Sequence, residues 1–109
     1  MSRAKGNLAE DKAVLYLEEN GYFIVDRNFY SKFGEIDIIA TKENVLHFVE
    51  VKSGLDYELA IQNLTPRKIS RFIKTCDVYI KKNAYEGDYV IDAIIVTPHS
   101  VELVENITL

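Results

Sequence analysis

The run Leu46-His47-Phe48-Val49-Glu50-Val51-Lys52 constrains the fold of this chain more than any other stretch. Successive side chains of a strand point to opposite faces, so Phe48 lies on one side while Val49 and Val51 lie on the other. A strand that is apolar on both faces belongs at the centre of a sheet covered on both sides. Glu50 breaks that pattern. A carboxylate at such a position is costly unless it is ion-paired or held by a cation.

The flanking segments supply the rest of the layers. A helical period runs from about Asn7 to Asn20, with Ala13, Val14 and Leu17 as its apolar stripe and Asn20-Gly21 as its stop. Strand-like runs follow at Tyr22–Asn28, Glu35–Ala40 and Val45–Lys52, separated by turn-prone stretches at Tyr30–Gly34 and Thr41–Asn44. Ser53–Leu64 reads as an irregular loop. Thr65-Pro66 is a natural helix start, and the helix beyond it places Ile69, Phe72, Ile73, Cys76, Tyr79 and Ile80 on one face. Two strands, Tyr89–Thr97 and Val101–Glu105, close the chain. The order α-β-β-β-α-β-β defines an α/β or α+β domain whose helices cover a central sheet. At 109 residues, without a linker or repeat, the expectation is one domain.

A second acidic strand points to chemistry. Gly34-Glu35-Ile36-Asp37-Ile38-Ile39-Ala40 puts Asp37 inside an apolar run, as Glu50 is. With a two- or four-residue connection in which Thr41 pairs with Asn44 or Ala40 with Val45, Asp37 falls opposite Phe48 and diagonal to Glu50 on the same face, about 7–8 Å away. An odd-length loop would turn Asp37 to the other side. Two converging carboxylates repel, and a divalent cation or a shared proton relieves them. Oxygen ligands suit a hard ion such as Mg²⁺ or Mn²⁺, which retains several waters and takes substrate phosphate as a further ligand. Lys52, on the face of Glu50, adds a positive charge for the attacking water or the developing phosphate charge. Glu10 lies one to two turns before Ala13, Val14 and Leu17 on the apolar stripe of the first helix. It either points toward the sheet and the site or stays wet near the helix start, where it favours the macrodipole.

These residues resemble the PD-(D/E)xK nuclease signature: Asp37, then Glu50-Val51-Lys52. Gly34-Glu35-Ile36-Asp37 with Phe48-Val49-Glu50-Val51-Lys52 is similar to the YraN-like family of uncharacterised bacterial proteins, distantly related to archaeal Holliday junction resolvases. The resemblance spans nearly the whole chain and extends to Arg27-Asn28, to Pro66-Arg67-Lys68 with Arg71, and to Tyr79-Ile80. It implies a restriction endonuclease-like α/β fold, a central mixed sheet flanked by helices. It also implies Asp37 and Glu50 as metal ligands, the Val51 carbonyl as a further ligand, Lys52 as the catalytic lysine and Glu10 as the residue completing the site. Ser53-Gly54 stands where the family often has a basic residue, and Val90-Ile91-Asp92 where it has Arg-Phe-Asp.

Charge distribution bears on the partner. The chain carries a net −4, yet Thr65–Asn83 holds six basic residues against Asp77 alone, a net +5 that leaves −9 for the remainder. Arg67, Arg71 and Lys74, with Lys68 beside them, follow helical spacing and suit phosphate contacts, although an ordinary solvated helix face has the same look. The single Cys76 forms no disulfide within the chain and points to a reducing compartment. The charged start Met1–Asn7 leads into no apolar core of a signal peptide, and no apolar run is long enough for a membrane span. The expectation is a soluble, cytoplasmic Mg²⁺- or Mn²⁺-dependent endonuclease acting on branched or flap DNA, a homodimer if the substrate is a four-way junction. The alternatives are a non-catalytic nucleic-acid-binding module that keeps the fold, and a protein-interaction domain in DNA uptake or repair.

Overall fold

The computed structural model describes residues 4–108, with side chains from residue 8 onward; Met1–Arg3 and Leu109 lie outside the described residues. Helix α1 (Ala4–Glu19) leads into three strands, β1 (Phe23–Ser31), β2 (Gly34–Lys42) and β3 (Val45–Ser53). A short helix α2 (Tyr57–Ile61) and the long α3 (Pro66–Lys82) carry the chain to β4 (Asp88–Thr97) and β5 (Ser100–Val104). The strands form one mixed five-stranded sheet in the order β1-β2-β3-β4-β5, antiparallel except where β3 and β4 run parallel. The protein is therefore α/β, as the strand and helix periods predict. Among the described residues no helix is long and apolar enough to cross a membrane.

The two-faced character of β3 sets the layers. Val49 packs with Ala9, Ala13 and Leu17 of α1, together with Ile38, Ala40, Ile94 and Val96. Phe48, on the opposite face, packs with Phe72, Cys76 and Tyr79 of α3, together with Ile36, Ile39, Leu46 and Ile91. Alanines at i and i+4 let α1 lie close to the sheet, whereas α3 presents aromatic rings; Tyr79 meets Phe29 and Phe48 edge-on at 5.1 and 5.6 Å. Phe48 is fully buried, so Phe48→Ala will remove about 3–5 kcal/mol of stability, read as a lower urea midpoint at unchanged slope.

Three local features depart from expectation, and each shapes the site. The β2–β3 connection is a two-residue turn, Glu43-Asn44, with Lys42 paired to Val45. Both turn residues have positive φ, +52° and +65°, the geometry whose twist suits a tight hairpin. The expected register therefore moves by two: Ile39 pairs with Phe48 and Ile38 with Val49, so continuation of the ladder sets Asp37 opposite Glu50 rather than diagonal to it. An even shift preserves the face, so the two carboxylates remain on the same side.

The second feature lies between β1 and β2. Arg27 pairs with Ile38 and Phe29 with Ile36, while Asn28, between them, adopts φ +57°. Asparagine tolerates this left-handed conformation better than most residues. Across this step the faces exchange: Ile38 packs on the α1 side, Ile36 and Phe29 on the α3 side. Asp37 sits at the exchange point.

The third is α2, in the stretch that reads as a loop. It is too short to show a period, and Asp56 caps it by accepting from the Leu59 N–H at 2.9 Å. Gly54 allows its close approach, because a Cβ there would lie 3.2 Å from both the Cβ and the N of Ala60. The helix α1 begins at Ala4, a turn earlier than Asn7.

Candidate active site

The end of the β2–β3 ladder builds the centre of the site. The β2–β3 pairing stops at Ile38–Val49, and two residues further along β3 the Val51 N–H donates to Asp37 Oδ2 at 2.7 Å. Val51 thus contributes through its backbone, fixing the Asp37 carboxylate against β3. Glu50 projects from the same side of β3, and its Oε1 lies 3.1 Å from Lys52 Nζ. Both partners are mostly buried, at 19% and 24% side-chain exposure, which makes this pair less screened than an ordinary surface ion pair.

The electrostatics show a surplus of negative charge. Burial, then the neighbouring Glu50 carboxylate, pushes the Asp37 carboxyl up to about 8, against the opposing Val51 N–H; Glu35 and Glu10 add to the rise. Burial also raises Glu50, while Lys52, and more weakly Lys68, hold it down. Among the described residues one lysine pairs with Glu50, and no ion pair to Asp37 is formed.

Glu10, on α1, pairs with β1 and is not among the residues that line the cleft over Asp37 and Glu50. It is 8% exposed, and its Oε1 accepts from Arg27 Nη2 at 3.2 Å and from Asn28 Nδ2 at 3.1 Å. Arg27 also contacts Asp11 Oδ1 at 2.8 Å. Of the two expectations for Glu10, the wet residue at the helix start gives way: it lies in the second turn, buried and paired. The left-handed Asn28 that turns the β1–β2 ribbon is the same residue that orients it.

The cleft, of about 260 Å³, opens over this centre. Asp37, Glu50 and Lys52 line it together with Lys68, Arg71, Ile69 and Phe72 of α3 and Phe33, Gly34 and Glu35 of the β1–β2 hairpin. The expected basic helix face is thereby divided. Lys68 and Arg71 line the cleft, whereas Arg67 does not, and Lys74 sits over the Phe33 ring at 5.5 Å. Sequence reasoning assigned no role to Glu35 and passed over Phe33. The only sequence signal for Phe33 is an aromatic residue in a hairpin tip.

Other candidates fall elsewhere. His47 faces away from Glu50, and its Nδ1 lies 2.7 Å from Asp92 Oδ2; the second Asp92 oxygen accepts the Asn106 N–H at 2.8 Å. Asp92, whose partner sequence alone leaves undecided, therefore ties β3 to β4 and to the C-terminal segment. Cys76 is buried in the α3 core, and burial pushes its thiol up, which suits packing rather than nucleophilic chemistry.

The donor set fits a hard divalent ion through two carboxylates, with open positions left for water and phosphate. The described residues contain no preformed group of three or more His, Cys, Asp or Glu placed to hold a metal. Of the three expected carboxylates, Asp37 and Glu50 share the cleft, while Glu10 is paired with Arg27 and Asn28.

Fold and cleft define an α/β protein with a carboxylate–lysine centre in a cleft that basic residues help to line. The sequence profile of the Uncharacterised protein family UPF0102 matches residues 9–96, and the chain belongs to that family. It is 71% identical over 109 residues to a UPF0102 protein of Sulfurimonas denitrificans, covering all of both chains. UPF0102 proteins of Wolinella succinogenes and Aliarcobacter butzleri are 54% and 50% identical, again over the full length of each chain.

Proposed function

We propose that this protein is a Mg²⁺- or Mn²⁺-dependent endonuclease of the PD-(D/E)xK type, with a restriction endonuclease-like fold, hydrolysing phosphodiester bonds in branched or flap DNA. One observation carries the reading: Asp37, Glu50 and Lys52 share a cleft with Lys68 and Arg71. The carboxylates suit a cation, and the guanidinium and ammonium groups suit a phosphate backbone. The raised Asp37 supports it further, because a site that cannot comfortably hold both charges gains most from a divalent ion.

In this reading Asp37 and Glu50 hold the ion. When bound, it withdraws charge from the phosphate and acidifies water in the cleft. The Val51 N–H holds the Asp37 carboxylate in one orientation. Lys52 has three donors, of which Glu50 takes one, leaving others for the attacking water or a phosphate oxygen. Arg71 and Lys68 bind the flanking backbone. A four-way junction presents two scissile strands, so activity on it calls for a homodimer.

The non-catalytic DNA-binding module is the second reading, favoured by the closed Glu50–Lys52 pair, which already satisfies one carboxylate. Cleavage of labelled four-way, flap, duplex and single-stranded DNA with Mn²⁺ or Mg²⁺ separates the two. Cleavage by the wild type that is absent from Asp37→Ala supports the nuclease. Equal DNA binding by both proteins without cleavage of any substrate selects the module.

A further inference from the structure

The tip of the β1–β2 hairpin is built in a way that packing does not require. Lys32 and Phe33 form the turn between Ser31 and Gly34, which pair with each other, and neither is a residue that turn geometry favours. Phe33 belongs to neither core cluster. Phe33 helps to line the cleft, and Lys32 Nζ and Lys74 Nζ lie 5.3 and 5.5 Å from its ring centroid. The tip is also held in place. The Phe33 N–H donates to Ser31 Oγ at 3.0 Å, and Ser31 Oγ lies 2.9 Å from Oγ1 of the fully buried Thr75 on α3.

An aromatic ring held beside a cleft that Lys68 and Arg71 help to line, with two ammonium groups near it, matches what an unpaired nucleotide needs: a flat apolar surface for the base and cations for its phosphates. We propose that Phe33 is a stacking platform for an unpaired nucleobase, with Lys32 and Lys74 contacting the adjoining phosphates. The inference rests on the nuclease reading and narrows its substrate to nucleic acid with an unpaired nucleotide close to the cut. Energetics allow the exchange. Each of the two cation–π contacts at the ring is weak in water, and a base stacked on an aromatic side chain is a stronger contact than either. Distance allows it as well. Phe33 lies in the turn just before β2, four residues from Asp37, at most about 13 Å of extended chain. That separation corresponds to about four stacked nucleotides at most.

The test measures binding without cleavage, by fluorescence anisotropy in EDTA with the full chain. The probes are a labelled duplex and the same duplex bearing a short unpaired flap. Wild type is expected to prefer the flap, and Phe33→Leu to bind it about tenfold more weakly with duplex affinity unchanged. Phe33→Trp, which keeps a larger ring, will match or exceed wild type on the flap. A flap affinity that is the same for wild type and Phe33→Leu overturns the platform and leaves the nuclease reading standing. Equal weakening of duplex and flap also overturns it, because a general loss of the basic surface then explains the effect. If the wild type binds neither probe, the DNA-directed function fails and the platform fails with it.

Discussion

Lys52→Ala will lower Mn²⁺-supported cleavage about 10²–10³-fold, the usual cost of removing one aimed donor from a site of developing charge, yet it will leave ion binding intact. Asp37→Ala will remove both. The difference follows from geometry. Lys52 Nζ bonds to Glu50 rather than standing in place of a ligand, so its loss frees a carboxylate oxygen. In the proposed site Asp37 supplies a ligand outright. Thermal unfolding with and without Mn²⁺ reads ion binding separately from catalysis, since a ligand that binds only the folded state raises stability by about 2.7 kcal/mol at 100 times its Kd. Wild type and Lys52→Ala should both gain several degrees, and Asp37→Ala none. If all three proteins gain equally, the ion binds elsewhere. If Lys52→Ala cleaves at the wild-type rate, Lys52 has no part in the reaction.

Asp37→Asn will make the metal-free protein more stable above neutral pH while abolishing activity. The folded state holds the Asp37 proton up to about pH 8, whereas a free carboxyl releases it near 3.8. A group with a raised folded value binds more protons in the folded than in the unfolded chain, so stability falls as pH rises between those two values. Above pH 8 the whole penalty remains. Four units correspond to about 5 kcal/mol at 1.36 kcal/mol per unit, and a cleft open to water screens this to about 2–3 kcal/mol. Asparagine carries no charge at any pH and keeps an oxygen for the Val51 N–H. Urea unfolding in EDTA should therefore show the variant about 2–3 kcal/mol ahead at pH 8.5 and level with wild type at pH 4. Parallel stability curves across that range would show that Asp37 ionises as readily in the folded chain as in the unfolded one. Added Mn²⁺ should close the gap by neutralising the wild-type carboxylates.

Both predictions depend on Asp37 and Glu50 sharing a face, which the sequence makes conditional on an even-length turn and the two-residue Glu43-Asn44 turn supplies. Alternation along a strand is a local property, and any even-length turn keeps the two residues on the same side, so an error of two in register left the conclusion intact. The layers are legible for a similar reason. A β3 apolar on both sides demands cover on both sides, and the periods around Ala13–Leu17 and Ile69–Ile80 supply it. Thr65-Pro66 marks the start of α3 because capping is chemistry within a few residues.

What tertiary structure alone decided is long-range or conformational. The Glu43-Asn44 turn depends on two positive φ angles that no periodicity reports. The exchange of faces at Asn28, which brings Glu10 from α1 into hydrogen-bond reach of β1, depends on one residue's backbone and on a helix 18 positions away. Asp92 finds His47, 45 residues distant, through a parallel pairing whose register the intervening helices set. The choice of Lys68 and Arg71 over Arg67 depends on the rotation of α3 about its axis, fixed by Phe72, Cys76 and Tyr79 against Phe48. Local periods assign side chains to faces; only the packing of those faces against one another brings the chosen charges into the same cleft.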